Sequence, residues 1–310
     1  MSGRLAAIIL AHDNARHVRR LIAALDGVDL FLHCDRRASD SVLAEMLAGA
    51  PGRVHVLPRR RADLFGWSLV AAELAALREA LARSSAEHLI VMSGSCYPLV
   101  SVAELEAELE PWRGRSRLGA MPLPWSAWDT PRHPDGGLWR VNRRFVAAGG
   151  RVVRVGGMPL RTRRRAMPRG LRLHGADQWK VYAREHARSL LEALDADPAL
   201  VAFWRHSFVP DELCVPSILA SPELVGEAAE TIDFDRVWQI DWVSGGAGGA
   251  APIHPRWLSV HDIDALEAAR DAPARRPGDA PGEGYRKLFA RKLPQADGRL
   301  TQLIDERLRR

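Results

Sequence analysis

Residues 88–99 have the sequence His88-Leu89-Ile90-Val91-Met92-Ser93-Gly94-Ser95-Cys96-Tyr97-Pro98-Leu99. The run over residues 88–92 is short and apolar, which is typical of a strand buried on both faces of a sheet. Ser101 then begins a predicted helix that extends through Leu109. A buried strand, a polar turn and a helix together form the repeating unit of an α/β sheet.

The same alternation of strand and helix precedes this stretch. A buried strand is predicted at residues 5–10 and further strands at 28–33 and 54–57. Asn14 and Ser68 are predicted to cap the helices that follow two of these strands. This order predicts an α/β fold with a mostly parallel central sheet and helices on both faces. We expect residues 1–310 to form a single domain.

Polar side chains follow three of the predicted strands at the point where each strand ends. They are His12, His33, Asp35 and those of the segment from Ser93 to Pro98, which includes Gly94. Ligands of parallel α/β sheets bind outside the carboxyl ends of the strands. The sequence therefore predicts a ligand site at this edge of the sheet.

Composition restricts the class of protein and of partner. The chain has 310 residues, 47% apolar content and a net charge of +6, which favours an anionic partner. No apolar run is long enough for a membrane span, and the N-terminus does not have the pattern of a signal peptide. The cysteines Cys34, Cys96 and Cys214 are scattered, which predicts burial in a reducing compartment rather than disulfides or a metal site.

The middle of the chain, residues 122–172, differs from the rest. It is rich in Trp, Pro, Gly and Arg, and its densest basic cluster is Arg161, Arg163, Arg164 and Arg165. One interpretation is an irregular insertion that shapes a binding site, and the other is a solvated and partly disordered basic loop. Residues 245–251 are predicted to be a flexible Gly/Ala loop.

Two short segments, far apart in the chain, carry the chemistry. Pro210-Asp211-Glu212 places a carboxylate at the start of a predicted helix, and Leu288-Phe289-Ala290-Arg291-Lys292 places two cations after an aromatic residue. A base and a cationic clamp suit transfer from a phosphate-activated donor to a hydroxyl group. Taken alone, a Glu near a helix start is usually only a favourable first-turn charge, and the two cations alone favour an ordinary basic helix face.

An ordered set of motifs resembles a known family. The motifs are Ala11-His12, Leu32-His33-Cys34-Asp35, Phe65-Gly66-Trp67-Ser68, Met92 to Leu99, Gln178-Trp179, Pro210-Asp211-Glu212, Ile240-Asp241-Trp242, His254-Pro255-Arg256 and Leu288 to Lys292. Together they resemble the core-2/I-branching enzymes, which include branching β-1,6-N-acetylglucosaminyltransferases and peptide O-xylosyltransferases. The resemblance implies a GT-A-like glycosyltransferase fold, an inverting mechanism and a UDP-sugar donor.

The resemblance also implies that no metal or other cofactor is needed, because basic side chains hold the diphosphate. No Asp-x-Asp follows the fourth predicted strand, and Asp233-Phe234-Asp235 lies too late in the chain to serve as a metal site. On this basis residues 1–120 form the nucleotide-sugar-binding half. Residues 121–310 form the acceptor-binding and catalytic half, with the basic insertion at 122–172.

Roles are implied for individual residues. Glu212 is the expected general base. The expected donor site comprises His12, His33, Asp35, Ser93, Gly94, Arg256, Arg291 and Lys292. The expected acceptor site comprises Trp67, Gln178, Trp179 and Asp211.

The chain departs from the family pattern at two motifs. Cys96 stands where the family usually has Asp, and Phe65-Gly66-Trp67 replaces the usual Trp-Gly-Gly. Because the sequence shows neither a membrane anchor nor paired cysteines, it resembles a bacterial, cytoplasmic member of the family. Peripheral contact with the anionic inner face of a membrane is the alternative location.

The expected reaction moves N-acetylglucosamine or xylose to a hydroxyl of a glycan acceptor. A surface or capsular polysaccharide, or its lipid-linked precursor, is the expected acceptor. One alternative is a nucleic-acid-binding protein that uses the Arg-rich segment, although no nucleic-acid-binding motif is present and nucleic acid is not the expected partner. Another is a non-catalytic, sugar-binding homologue. A glycoside hydrolase would need a second facing carboxylate, for which the sequence offers no candidate.

Overall fold

A computed structural model describes residues 4–242, 255–280, 282, 284–294 and 298–309. Its centre is a seven-stranded sheet. In spatial order the strands are β16 (Ile232–Asp233), β6 (Ser116–Arg117), β15 (Lys180–Ala183), β4 (His88–Ser93), β1 (Leu5–Ala11), β2 (Asp29–Cys34) and β3 (Val54–Val56).

The strand directions confirm a mostly parallel sheet. Strand β1 pairs in parallel with β2 and with β4, and β2 pairs in parallel with β3. Only β15 is reversed, since it is antiparallel to both β4 and β6, while β16 is parallel to β6. The four predicted strands lie within one residue of their predicted bounds.

The described residues form ten α-helices. They are α1 (Ala15–Ala24), α2 (Asp40–Met46), α3 (Trp67–Arg83), α4 (Val102–Leu109), α5 (Arg184–Ala196), α6 (Pro198–Arg205), α7 (Cys214–Leu219), α8 (Pro222–Val225), α9 (Ile263–Asp271) and α10 (Arg299–Arg307). None of them is long and apolar enough to cross a bilayer.

Smaller sheets surround the central one. A three-stranded sheet has the order β17 (Trp238–Ile240), β18 (Phe289–Arg291) and β5 (Cys96–Pro98). The two-stranded sheets pair β7 (Ala120–Pro122) with β14 (His174–Ala176), β8 (Arg143–Phe145) with β13 (Arg161–Arg164), β9 (Ala147–Ala148) with β10 (Arg151–Val152), and β11 (Arg154–Val155) with β12 (Met158–Pro159).

Two apolar cores lie on opposite faces of the central sheet. Alternate residues of β1 enter different cores: Ile9 packs with α1, whereas Ile8 packs with α3. Burying one such side chain contributes about 1.5–3 kcal/mol. The predicted helices on both faces are therefore confirmed, and all three cysteines are buried and unpaired.

The predicted helix caps have mixed outcomes. Ser101 caps α4 as predicted, because its Oγ accepts from the Glu104 amide while the Glu104 carboxylate accepts from the Ser101 amide. Asn14 lies at the cap position of α1, but its side chain donates to Ser95 Oγ instead. The cap predicted at Ser68 is wrong, since α3 begins one residue earlier.

Residues 122–172 contain regular structure rather than an irregular or disordered loop. Strands β8 to β13 form three antiparallel pairs in this insertion. Gly149, Gly150, Gly156 and Gly157 have φ of +57°, +78°, +56° and +80°, which permits the two tight turns. The flexible loop predicted at residues 245–251 lies outside the described residues.

Candidate active site

A cleft of about 590 Å³ lies at the carboxyl ends of β1, β2 and β4. Eleven of the thirteen site residues predicted from the sequence line it. They are His12, His33, Asp35, Ser93, Gly94, Gln178, Trp179, Asp211, Glu212, Arg291 and Lys292. The fold thus brings the distant segments around Glu212 and Lys292 to one site.

Glu212 ends a short 3-10 helix, Pro210–Glu212, that begins after a left-handed Val209 with φ of 52°. Its Oε2 accepts a hydrogen bond of 2.6 Å from Arg140 Nη1. Arg140 comes from the basic insertion, and its guanidinium lies 4.1 Å from the Trp128 ring centroid. The insertion therefore contributes directly to the surroundings of Glu212, which sequence analysis missed.

Burial raises the pKa of Glu212 above the ordinary value of a glutamate, and the nearby Asp177 acts in the same direction. The ion pair with Arg140 opposes this rise. A carboxylate with a raised pKa is a stronger base when it is ionised.

Asp211 is only 3% exposed, and its Oδ1 has no hydrogen-bond partner among the described residues. Burial raises the pKa of Asp211 to about 7, and the adjacent Glu212 adds to the rise. Asp211 lines the cleft, where an acceptor contact was predicted. Its neutral form costs less to bury than a charge would.

Lys180 lies in β15 with no solvent exposure and approaches Glu73 Oε1 at 3.5 Å. Its Nζ also donates to the Gln178 carbonyl at 2.7 Å. This bond anchors the segment that brings Asp177, Gln178 and Trp179 to the cleft. Sequence analysis missed Lys180, although a lysine within the apolar run of β15 was a detectable signal.

Arg291 and Lys292 both lie against aromatic faces. The Arg291 guanidinium is 3.8 Å from the ring centroid of Trp179 and donates to Ser93 Oγ, and Lys292 Nζ is 3.9 Å from the ring centroid of Trp257. No carboxylate in the described part of the chain lies within ion-pair distance of either cation. Two positioned cations therefore face the cleft, and neither forms an ion pair with a carboxylate of the described residues.

Burial lowers the pKa of Lys292, and the adjacent Arg291 lowers it further. Burial also lowers the pKa of Arg291. Burial and mutual repulsion therefore destabilise the two positive charges, and a bound anion would stabilise them.

Cys96 lies in β5, opposite Arg291 in the register of the three-stranded sheet. Its thiol is buried, with Sγ 3.5 Å from Ser93 Oγ. A carboxylate at this position would be next to the Arg291 guanidinium. The cysteine that departs from the family pattern therefore leaves Arg291 without that counter-charge.

Asp35 lines the cleft but already has four donors. It accepts from Ala62 N and from Arg37, which contributes its amide and two guanidinium nitrogens at 2.8–2.9 Å. Burial raises the pKa of Asp35, but these hydrogen bonds outweigh it and hold the pKa well below its usual range. Both oxygens are saturated, so Asp35 organises the loop rather than offering a vacant acceptor to a nucleotide.

His33 and Gly94 also have structural partners. His33 is buried, and its Nε2 accepts from Arg60 N at 3.1 Å, which leaves it neutral. A Cβ at Gly94 would meet Val18 Cγ2 at 2.9 Å and Ala11 Cβ at 3.0 Å. The glycine is therefore required by packing, whatever its relation to a donor. His12, by contrast, is exposed at the cleft.

Two predicted site residues do not reach the cleft. Trp67 is 8% exposed and lines a separate cavity beside Arg60 and Arg205. Arg256 pairs with Asp241 at 2.5 Å and with Asp262, so its guanidinium is occupied by carboxylates.

Trp179 was predicted to stack on an acceptor, but Arg291 already covers one of its faces. Gln178 lines the cleft as predicted. Asp233 and Asp235 pair with Arg275 and Arg117 respectively and do not line the cleft. Within the described residues, no group of three His, Cys, Asp or Glu side chains gathers as a metal site.

Comparison with known proteins gives a family match over most of the chain. The family model described as Core-2/I-Branching enzyme matches residues 8–268. The chain belongs to this family. Core-2/I-branching enzymes are glycosyltransferases that use sugar-nucleotide donors and glycan acceptors, so the predicted enzyme class is confirmed. The seven-stranded sheet with helices on both faces confirms the predicted α/β fold class. The match includes Glu212 but ends before Arg291 and Lys292.

Solved structures give only distant likenesses. A cytidylyltransferase from Leptospira borgpetersenii has a TM-score of 0.31 and 12% identity over 62% of this chain and 64% of that one. A putative glucose-1-phosphate thymidylyltransferase from Bacillus anthracis, in complex with a sucrose, has a TM-score of 0.31 and 10% identity over 61% of this chain and 75% of that one. HddC from Yersinia pseudotuberculosis has a TM-score of 0.29 and 10% identity over 59% of this chain and 78% of that one. No curated protein is significantly similar in sequence.

Proposed function

We propose that this protein is an inverting, metal-independent glycosyltransferase that moves N-acetylglucosamine or xylose from a UDP-sugar to a hydroxyl of a glycan acceptor. The observation that carries the proposal is the position of Glu212 and of the Arg291–Lys292 pair in one cleft. A base and an anion-binding pair are the two functions that this reaction requires of a protein.

In the proposed reaction the ionised Glu212 accepts the proton of the acceptor hydroxyl. The acceptor oxygen forms a bond to the anomeric carbon on the face opposite the diphosphate, and the bond from that carbon to the diphosphate oxygen breaks. UDP leaves with the electron pair. Because the diphosphate is a stable anion, it needs no proton, so one carboxylate is sufficient.

Arg291 and Lys292 stabilise the charge that develops on the departing diphosphate. Both are held against indole rings before substrate arrives, and preorganised charge lowers the barrier because no reorientation accompanies the reaction. In this proposal they do what a divalent cation does in metal-dependent enzymes. Ser93 supports Arg291 from the end of β4.

Gln178 and Asp211 remain the proposed acceptor contacts, and His12 is the proposed donor contact with the most exposed side chain. The proposed acceptor is a surface or capsular polysaccharide or its lipid-linked precursor, in a cytoplasmic setting. The alternative of a non-catalytic, sugar-binding homologue shares this cleft and differs only in turnover.

The test is release of UDP from a panel of UDP-sugars, measured with EDTA present and without acceptor. Release from one donor, unaffected by EDTA and lost in Glu212→Gln, is the expected result. Glu227→Gln is the matched control, because Glu227 is exposed and does not line the cleft.

Release that EDTA abolishes would overturn metal independence. UDP binding by calorimetry without turnover of any donor, even with glycan acceptors added, would favour the non-catalytic homologue. If the protein neither bound UDP nor turned over any UDP-sugar, the proposed donor class would be overturned.

A further inference from the structure

The positive charge of the protein is concentrated in one segment. Residues 136–176 contain eleven arginines and no Asp, Glu or Lys. Since the whole chain carries +6, the remaining residues together carry −5. The basic character that predicts an anionic partner therefore belongs to this segment, most of which lies in the insertion, and not to the body of the protein.

The insertion contains a small hairpin formed by β11 and β12, with Gly156–Gly157 at its turn. Val155 is 63% exposed, Met158 is 62% exposed and Leu160, just after the hairpin, is 42% exposed. Eight large apolar side chains are exposed in the described parts of the chain, and four of them, including Met167, lie between residues 155 and 167. Exposed aliphatic groups are thus concentrated in this hairpin and just after it.

Arginines flank these exposed aliphatic groups. Arg161, Arg163 and Arg164 in β13 are all exposed, and none forms an ion pair with a carboxylate of the described residues. Arg154 in β11 is also exposed, and its guanidinium donates to the Gly157 carbonyl and lies over the Phe65 ring. The hairpin therefore combines exposed aliphatic groups with arginines without internal neutralisation.

We propose that the hairpin of residues 154–164 attaches the protein to an anionic lipid bilayer, with Val155, Met158 and Leu160 entering the interface and the arginines contacting lipid phosphates. Exposed aliphatic groups next to basic side chains match the layered chemistry of a bilayer surface. This attachment does not depend on the reaction that the cleft performs.

A bilayer suits these observations better than another polyanion. Single-stranded nucleic acids are bound by aromatic side chains that stack on bases, and residues 151–164 contain no aromatic residue. Three exposed aliphatic side chains gain nothing from a purely electrostatic partner, whereas they leave water when they enter a lipid interface.

The position of the hairpin also links the membrane to the cleft. Arg140, which binds Glu212, ends a short helix of the same insertion, and β8 begins three residues later and pairs with β13 at the base of the hairpin. Attachment at the hairpin would hold the protein close to acceptors that are themselves in the membrane, such as lipid-linked glycans.

The test is cosedimentation with vesicles that contain phosphatidylglycerol, compared with vesicles of phosphatidylcholine alone. We expect the wild type to bind the anionic vesicles preferentially. The variants Val155→Ser/Met158→Ser/Leu160→Ser and Arg161→Gln/Arg163→Gln/Arg164→Gln should each lose at least about tenfold in partitioning. UDP binding, measured without vesicles, should be unchanged in both.

The matched control is Arg19→Gln/Arg83→Gln/Arg188→Gln, which removes three exposed positive charges outside the insertion. It should retain most of the vesicle binding. An equal loss in this control would show a general charge effect and overturn the proposal. Undiminished binding of the aliphatic variant, no preference for anionic vesicles, or tight binding of single-stranded DNA in place of vesicles would overturn it as well.

Discussion

Arg140 donates a 2.6 Å hydrogen bond to Glu212, although the two residues belong to parts of the chain with very different composition. Arg140 is itself held over the Trp128 ring. The pair connects the basic insertion to the proposed general base, and both side chains are largely buried, with 18% and 29% exposure. A partly buried, charge-assisted bond of this kind stabilises the ionised carboxylate.

Arg140→Met should therefore raise the pKa of Glu212, because the ion pair that favours the charged carboxylate is lost. We expect the acid limb of the pH profile of kcat/KM to move up by about one pH unit, with activity partly recovered at alkaline pH. The profile of donor consumption checks this. Arg144→Gln, which removes a nearby charge that does not contact Glu212, should leave the limb in place.

The wild-type enzyme should lose activity on acidification at a higher pH than an ordinary glutamate predicts. Burial raises the pKa of Glu212, so its base form disappears as the pH falls through that raised pKa. kcat/KM measured from about pH 4 to about pH 9 tests this expectation. A limb near the ordinary glutamate pKa of 4.5 would contradict a buried base.

Asp211→Asn should stabilise the fold above neutral pH. The folded state raises the pKa of Asp211 from 3.8 to about 7, so the unfolded chain releases a proton that the native state retains. Stability of the wild type therefore falls between these two pH values, and the variant escapes that loss. We expect a gain of about 1–3 kcal/mol near pH 8 and little gain near pH 4, by denaturant unfolding. A gain independent of pH would contradict the assignment.

Replacing either cation of the cleft should weaken UDP binding. For Arg291→Gln and Lys292→Gln we expect about a 10- to 1,000-fold loss in kcat/KM, because each removes a positioned charge from the departing diphosphate. Trp179→Leu should weaken UDP binding less, through loss of the surface on which Arg291 lies. Calorimetry with UDP measures the affinity of all three variants, donor consumption measures their kcat/KM, and Arg188→Gln on α5 is the control for net charge.

Gly94→Ala should destabilise the protein by about 1–3 kcal/mol, because the added methyl would overlap Val18 and Ala11. Thermal unfolding checks the loss. Gly52→Ala is a suitable control, since a Cβ at Gly52 meets nothing within 4 Å and its φ is not positive.

Much of the fold follows from local pattern. The strands around Ile8, Phe31 and Val91 are apolar runs bounded by polar turns, and such runs identify buried strands. The reversed β15 was not predicted, because its direction depends on pairing with β4 far away in the chain. The hairpins of the insertion were also missed, since their glycine turns are separated by strands of only two residues.

The cleft was predicted better than the partners of its residues. Glu212 and Lys292 were found because each is a chemically distinctive residue within a recognisable motif. Arg140 and Lys180 were missed, because their importance comes only from what they contact after folding. Arg256 was wrongly predicted to bind the donor for the same reason, since its guanidinium forms ion pairs with Asp241 and Asp262.

The pairing of β18 with β17 and β5 determines when, during synthesis, the cleft can acquire its two cations. Phe289–Arg291 pairs with Cys96–Pro98, so the cations reach the cleft only through a contact between parts of the chain that are synthesised far apart in time. The central sheet can form around β1, β2 and β4 while residues 289–292 are still in the ribosome. A nascent chain would thus have its scaffold and its proposed base before it had the two cations that we propose bind the diphosphate.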